Sequence, residues 1–177
     1  MLKVTIIGLG FVGLSLTSFL SSKKIKVIGV DSNKQKIELL KNGSSDFFEP
    51  DLEKYLRKGE KFQEFTTKID HRTLDSNFIF ITVGTPLDNK NKINLNSVKT
   101  VTEKISQNLK EISKKPNIIL KSTVVPGTGI DIIKPILEKN GNIEGKDFEL
   151  ISNPEFLREG SAMHDTIHPH VIVIGGR

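Results

Sequence analysis

Glycine, carboxylate and hydroxyl residues recur in this sequence where predicted strands end, spaced for phosphate and sugar-hydroxyl chemistry. The first group is Gly8-Leu9-Gly10-Phe11-Val12-Gly13, directly after the β-branched run Lys3-Val4-Thr5-Ile6-Ile7. In a strand–turn–helix unit each glycine has a mechanical task. Gly8 permits the sharp turn, Gly10 lets backbone approach a pyrophosphate, and Gly13 lets the helix pack close to the sheet. The unpaired N–H groups and the positive dipole end of that helix then face the phosphates. A second apolar run, Ile25 to Val30, ends in Asp31. That is close to the ~20-residue spacing of a ribose-binding carboxylate. Ser32 and Asn33 follow, with no arginine to receive a 2′-phosphate, which favours NAD over NADP. The plainer alternative is an ordinary tight turn and a solvated aspartate.

Bulk composition narrows the classes. The chain has 177 residues, 36% hydrophobic, enough for one good core and short of a second full domain. No apolar run approaches membrane-spanning length, and the apolar residues after Met1 belong to the first predicted strand. With no cysteine there is no disulfide, thiolate metal site or cysteine nucleophile, and a cytoplasmic location is expected. The net charge of +5 comes from lysines scattered among Asn, Asp and Glu, with no Trp and one Tyr to stack on bases. This reads as a lysine-rich solvated surface and gives no sign of nucleic-acid binding. A mildly positive field also suits phosphate-bearing small ligands.

The elements that must position the motifs follow in order. A helix after the glycine turn carries Val12, Leu16, Phe19 and Leu20 as its apolar face. Lys34 to Lys41 forms a short helix stopped by Asn42-Gly43, and Phe47 to Asp51 opens another with Leu52, Tyr55 and Leu56 inward. Phe65 to Lys68 reads as a short strand. Phe78 to Val83 is a continuous apolar run suited to a covered parallel strand, and it ends in Gly84-Thr85-Pro86. Leu87 to Leu95 is a polar surface loop. Asn96 can cap a helix carrying Val98, Val101, Ile105, Leu109 and Ile112. Ile118 to Leu120 is a strand leading into Lys121-Ser122-Thr123-Val124-Val125-Pro126-Gly127-Thr128. Thr128 can cap a helix with Ile130, Ile133 and Leu137 inward, which Pro135 should kink or shift. Phe148 to Ile151 and Val171 to Ile174 read as the last strands.

About six strands alternating with helices predict an α/β fold, a doubly wound (Rossmann-type) parallel sheet with helices on both faces. In the common 3-2-1-4-5-6 order the carboxyl ends of strands one and four flank the ligand crevice. The glycine turn, Thr85, Thr123 and Glu155 all follow strand ends, so they should converge on one edge.

Four segments together carry a more specific likeness. They are the glycine turn with Asp31, Gly84-Thr85-Pro86, Ser122 to Thr128, and Ser152-Asn153-Pro154-Glu155-Phe156-Leu157-Arg158-Glu159-Gly160-Ser161-Ala162. In this order and spacing the chain resembles the NAD-binding domain of the UDP-glucose/GDP-mannose dehydrogenase family over essentially residues 1–177. The resemblance implies oxidation of the C6 alcohol of a nucleotide sugar to a carboxylate, with two NAD per turnover and a covalent thiohemiacetal. It implies that Gly8, Gly10, Phe11, Val12 and Gly13 hold the pyrophosphate, and that Asp31 holds the adenosine ribose with Lys36 near it. Thr85 and Thr123 line the cofactor cleft, Thr123 also positioning water. Glu155 is the acid/base of the later steps, Glu159 lies beside the nicotinamide, and Glu155, Phe156, Leu157 and Arg158 lie along the nucleotide sugar. The substrate it implies is a nucleotide sugar, with UDP-glucose the lead and UDP-N-acetylmannosamine or GDP-mannose the alternatives, acted on by a full-length homodimer.

Two departures limit that likeness. The family's cysteine nucleophile and the lysine, asparagine and aspartate around it lie further along than Gly175-Gly176-Arg177. Its central dimerisation and carboxyl-terminal sugar-nucleotide domains are likewise expected outside these residues. His170 stands where the family usually has an acidic residue. His164, His168 and His170 lie close in sequence, but no thiolate or carboxylate set completes a tetrahedral site around them or around His71, so no metal is expected. Without the resemblance, Glu155 could simply cap the next short helix. A non-catalytic nucleotide-binding module remains the reading from another class. A dehydrogenase sharing only the glycine motif leaves the Asn153 to Ala162 segment unexplained.

Overall fold

The β-branched runs pair into one parallel sheet. In this computed structural model the described residues are 2–176; the terminal residues of the expected 1–177 domain lie outside them. The strands are β1 (Lys3–Ile7), β2 (Lys26–Val30), β3 (Gln63–Thr66), β4 (Phe78–Ile81), β5 (Asn117–Leu120) and β6 (Glu149–Ser152), in the spatial order β3-β2-β1-β4-β5-β6. β1 is central, its Val4 in register with Val27 of β2 and Phe78 of β4. Strand alternation sends Val4 and Ile6 to one face and Ile7 to the other.

The helices cover both faces. On one side α1 (Phe11–Ser22), α2 (Lys34–Lys41), α3 (Leu52–Gly59) and α7 (Ala162–Ile167) enclose Val4, Ile6, Leu14, Val27, Leu40, Leu56 and Met163. On the other, α4 (His71–Leu74), α5 (Asn96–Asn108) and α6 (Lys134–Glu138) enclose Ile79, Ile81, Ile105, Ile118, Leu137 and Phe148. Among the described residues no helix is long and apolar enough to cross a membrane.

Four local expectations are corrected. The buried face of α1 is formed by Gly13, Leu14, Ser15, Thr17, Ser18, Ser21 and Ser22, while the expected stripe of Val12, Leu16, Phe19 and Leu20 is only partly buried. Most of these hydroxyls are affordable inside because they bond to their own helix, as where Thr17 donates to the Gly13 carbonyl at 2.8 Å and Ser18 to that of Leu14 at 2.7 Å; the Ser15 hydroxyl is the exception, buried without a partner among the described residues. Their small size allows close approach, and a Cβ on Gly59 of α3 would lie 2.6 Å from Ser21 Cβ. Val171 to Ile174 is not a strand. It runs irregularly, 43–71% exposed, until Gly175 makes an isolated antiparallel bridge to Ser152. A β-branched run becomes a strand only beside a partner, and here pairing stops after that one bridge.

Asn96 is the first helical residue of α5, not its cap; Leu95 takes that position and Asn94 Oδ1 accepts from the Asn96 N–H at 2.9 Å. Thr128 does not cap a helix either, since its hydroxyl donates to the Val125 carbonyl at 2.6 Å. A π-helical turn, Gly129–Ile133, follows and Pro135 sits in the first turn of α6. The wider turn rotates Ile130 outward to 67% exposure.

Candidate active site at the carboxyl edge of the sheet

Backbone sterics set the turn after β1. Gly8 has φ +100°, and a Cβ there would meet the Val83 nitrogen at 2.7 Å, so only glycine fits. A Cβ on Gly13 would run into the Gly8 carbonyl and lie 2.6 Å from Thr82 Oγ1. Gly10 differs: its φ is −78° and a Cβ would meet nothing within 4 Å. The space at Gly10 is therefore open cleft, the close backbone approach that a pyrophosphate needs. No side chain caps α1, and its first turn holds no acidic residue, so its leading amides present an uncompensated positive end.

That turn borders a cleft of about 750 Å³, which runs past Asp31 and Ser32 to Thr67, Ile69, Thr100 and Lys104, and in the other direction to Glu155, Leu157, Arg158 and Glu159. The volume falls within the range of small-molecule sites. Asp31 fixes the turn as well as lining the cleft: Oδ2 accepts from the Leu9 N–H and Oδ1 from the Asn33 N–H, both at 2.9 Å. Each oxygen keeps a lone pair for a further donor.

The other residues singled out in the sequence take different stations. Phe11 and Val12 line the cleft. Lys36 lies behind the turn, where Nζ donates to the Leu9 carbonyl at 3.1 Å and pairs with Asp46 at 3.3 Å. Thr85 and Thr123 stand outside the cleft lining and form a relay to it. The Thr85 hydroxyl donates to the Thr123 carbonyl at 2.7 Å, and the Thr123 hydroxyl donates to Glu155 Oε1 at 3.1 Å. Glu155 Oε2 accepts from the Leu157 N–H at 2.6 Å. Two strand-end loops thus orient one carboxylate.

A second cavity, about 560 Å³, lies on the far side of Glu155, lined by Lys121, Asn153, Phe156, Thr166 and His170 among others. Val12, Glu155, Leu157 and Arg158 face both cavities. Arg158 holds the buried Asp165 in a fork, Nε to Oδ2 at 3.1 Å and Nη2 to Oδ1 at 2.9 Å. Those hydrogen bonds hold the Asp165 carboxyl well below the usual carboxylate range. Lys121 was not singled out in the sequence. Its side chain is partly buried, Nζ donates to Asn153 Oδ1 at 3.2 Å, and burial lowers its pKa while the charge of Glu155 opposes that shift. Its place after β5 was visible; its burial was not. Among the described residues no three His, Cys, Asp or Glu side chains gather in a possible metal site.

Residues 2–177 match the model of the UDP-glucose/GDP-mannose dehydrogenase family, NAD binding domain. The chain belongs to that family. It is 37% identical to the GDP-mannose 6-dehydrogenase of Pseudomonas aeruginosa, covering 98% of this chain and 41% of that protein. A solved ternary complex of the P. aeruginosa GDP-mannose dehydrogenase superposes with a TM-score of 0.94 over 98% of this chain and 41% of that one. The UDP-glucose 6-dehydrogenase TuaD of Bacillus subtilis is also 37% identical, covering 99% of this chain and 37% of its own length. The chain thus spans about two-fifths of the length of the curated relatives it matches. The doubly wound parallel sheet and the 3-2-1-4-5-6 order expected from sequence are the ones observed, and the family matched is that of an NAD binding domain.

Two outcomes follow. In thermal unfolding, Gly13→Ala is expected to destabilise the chain by about 1–3 kcal/mol through overpacking, whereas Gly10→Ala leaves the melting temperature nearly unchanged. Because the folded-state pKa of Asp165 is depressed, its contribution to stability is present above the unfolded value of about 3.9 and fades as pH falls toward the lower folded value. Urea midpoints of Asp165→Asn should therefore lie below wild type at pH 6, and the gap should narrow below pH 4.

Proposed function

We propose that this chain is the NAD-binding part of a nucleotide-sugar 6-dehydrogenase that oxidises a sugar C6 alcohol. The observation that carries this reading is Glu155 on the wall shared by two cavities, one bordered by the glycine turn and Asp31 and the other on its far side. In this reading the amides that open α1 receive the pyrophosphate, with Gly10 leaving the space for it. Asp31 accepts hydrogen bonds from the adenosine ribose hydroxyls, and the absence of a neighbouring arginine disfavours a 2′-phosphate. Bound NAD supplies the hydride acceptor.

Glu155 takes the proton of the sugar alcohol, its two oxygens aimed by the Thr123 hydroxyl and the Leu157 amide. Thr123 also orients the water of a hydrolytic step. Phe156, Leu157 and Arg158 lie along the nucleotide sugar, with Glu159 at the nicotinamide end and Lys36 supporting the ribose end through the Leu9 carbonyl. The chain holds no cysteine, so a thiol-dependent second oxidation needs a group from outside these residues. The uridine and guanosine enzymes named above are equally similar at 37%, so the proposed substrate is a nucleotide sugar of either base.

Calorimetric titration tests the cofactor half. NAD should bind more tightly than NADP. Asp31→Ala should weaken NAD by about 10- to 100-fold, the loss of one or two hydrogen bonds, and Gly10→Ala should remain folded yet lose NAD binding. Equal affinity for NAD and NADP, or unchanged affinity in both variants, would overturn the reading.

A further inference from the structure

Glu49 is a buried carboxylate, 4% exposed, in the irregular stretch between α2 and α3. Burying a charge is costly unless hydrogen bonds replace its water. Both oxygens are engaged far along the chain: Oε2 accepts from the Gly160 N–H at 3.0 Å and Oε1 from the Met163 N–H at 3.2 Å. Those amides bracket the loop that leads from Arg158 and Glu159, on the cleft wall, into α7. A carboxylate accepting two amides at once is a strong and directional clamp. The alternative partner for that loop, Asp165, is already occupied by Arg158.

The same stretch also reaches the phosphate side. Asp46 pairs with Lys36, whose ammonium donates to the Leu9 carbonyl, and the Phe47 ring lies 4.3 Å from that of Phe11, at the start of α1. Residues 46–49 therefore touch the glycine turn at one end and the far wall of the cleft at the other. Backbone connectivity alone does not link those two walls, which are about 150 residues apart in sequence.

We propose that Glu49 is a positioning residue of this site: through Gly160 and Met163 it holds the Leu157–Glu159 wall at a fixed reach from the glycine turn. One ligand then meets both walls together. The proposal rests on the cofactor reading above, and the glycine-turn response below tests that reading separately. Glu49→Ala removes both acceptors, while Glu49→Gln keeps one.

The experiment is an NMR titration of the 177-residue chain with NAD, read at the amides of Gly10, Phe11 and Val12 and at those of Leu157, Arg158 and Glu159. In wild type both sets should shift with one apparent Kd. In the variants the first set should keep its response, while the second loses it partly in Glu49→Gln and fully in Glu49→Ala. A role in stability alone would move both sets equally. A folded variant answering like wild type at both sets overturns the proposal, whereas no response at the glycine turn in wild type overturns the cofactor reading and this role with it. Where the variants do not fold, hydrogen exchange in wild type decides: NAD should slow the Gly160 and Met163 amides at least ~10-fold, the reach of about 1.4 kcal/mol, and unchanged exchange contradicts the clamp.

Discussion

The turn between β1 and α1 is tied down on both flanks, and the rest of the site is placed relative to it. From the β2 side the Val30 carbonyl accepts from the Gly8 N–H at 2.8 Å, and Asp31 accepts from Leu9. From the β4 side the Thr82 hydroxyl contacts the carbonyl oxygens of Ile7 at 3.0 Å and Gly8 at 2.7 Å. With the strands on both flanks bonded to it, the loop holds a left-handed Gly8 and an open Gly10 in place. Preorganisation of this kind spares a ligand the cost of ordering the loop.

Packing carries the consequence outward. Because Gly13 lets α1 sit against the turn, the helix axis comes close to the sheet, and only small side chains fit beneath it. Thr17, Ser18, Ser21 and Ser22 of α1 are small enough for that layer and satisfy their hydroxyls on the preceding helical turn, while the buried Ser15 hydroxyl has no partner among the described residues. The same closeness lets α3 and α7 rest on α1, and α7 follows the loop that carries Arg158 and Glu159. The cleft wall opposite the glycine turn thus depends on the same tight packing.

Much of this was legible in the residues. Continuous runs such as Ile79 to Ile81 mark buried parallel strands, and the glycines state their own steric reasons. The convergence of Thr123 and Glu155 followed from topology alone, since both lie just beyond carboxyl ends of strands in one sheet. What escaped depends on partners remote in sequence. Thr17 and Ser18 look solvent-facing until their hydroxyls are seen to fold back on the helix. Glu49 looks like a surface acid until Gly160 and Met163 arrive from more than a hundred positions away. Val171 to Ile174 has the composition of a strand but only one bridging residue beside it, Gly175, to supply ladder bonds.

Two cavities meet at Glu155, which among the described residues is the only acidic side chain facing both. Its neighbours Thr123 and Leu157 come from different loops, so the carboxylate reports on the alignment of β5 and β6 together. The most direct measurement is a crystal structure of the chain with NAD bound. The pyrophosphate should lie against the amides of Gly10 to Val12, the adenosine ribose on Asp31, and the nicotinamide toward Glu155 and Glu159. A pyrophosphate bound anywhere else, with the Gly10 face of the cleft empty, would contradict the account.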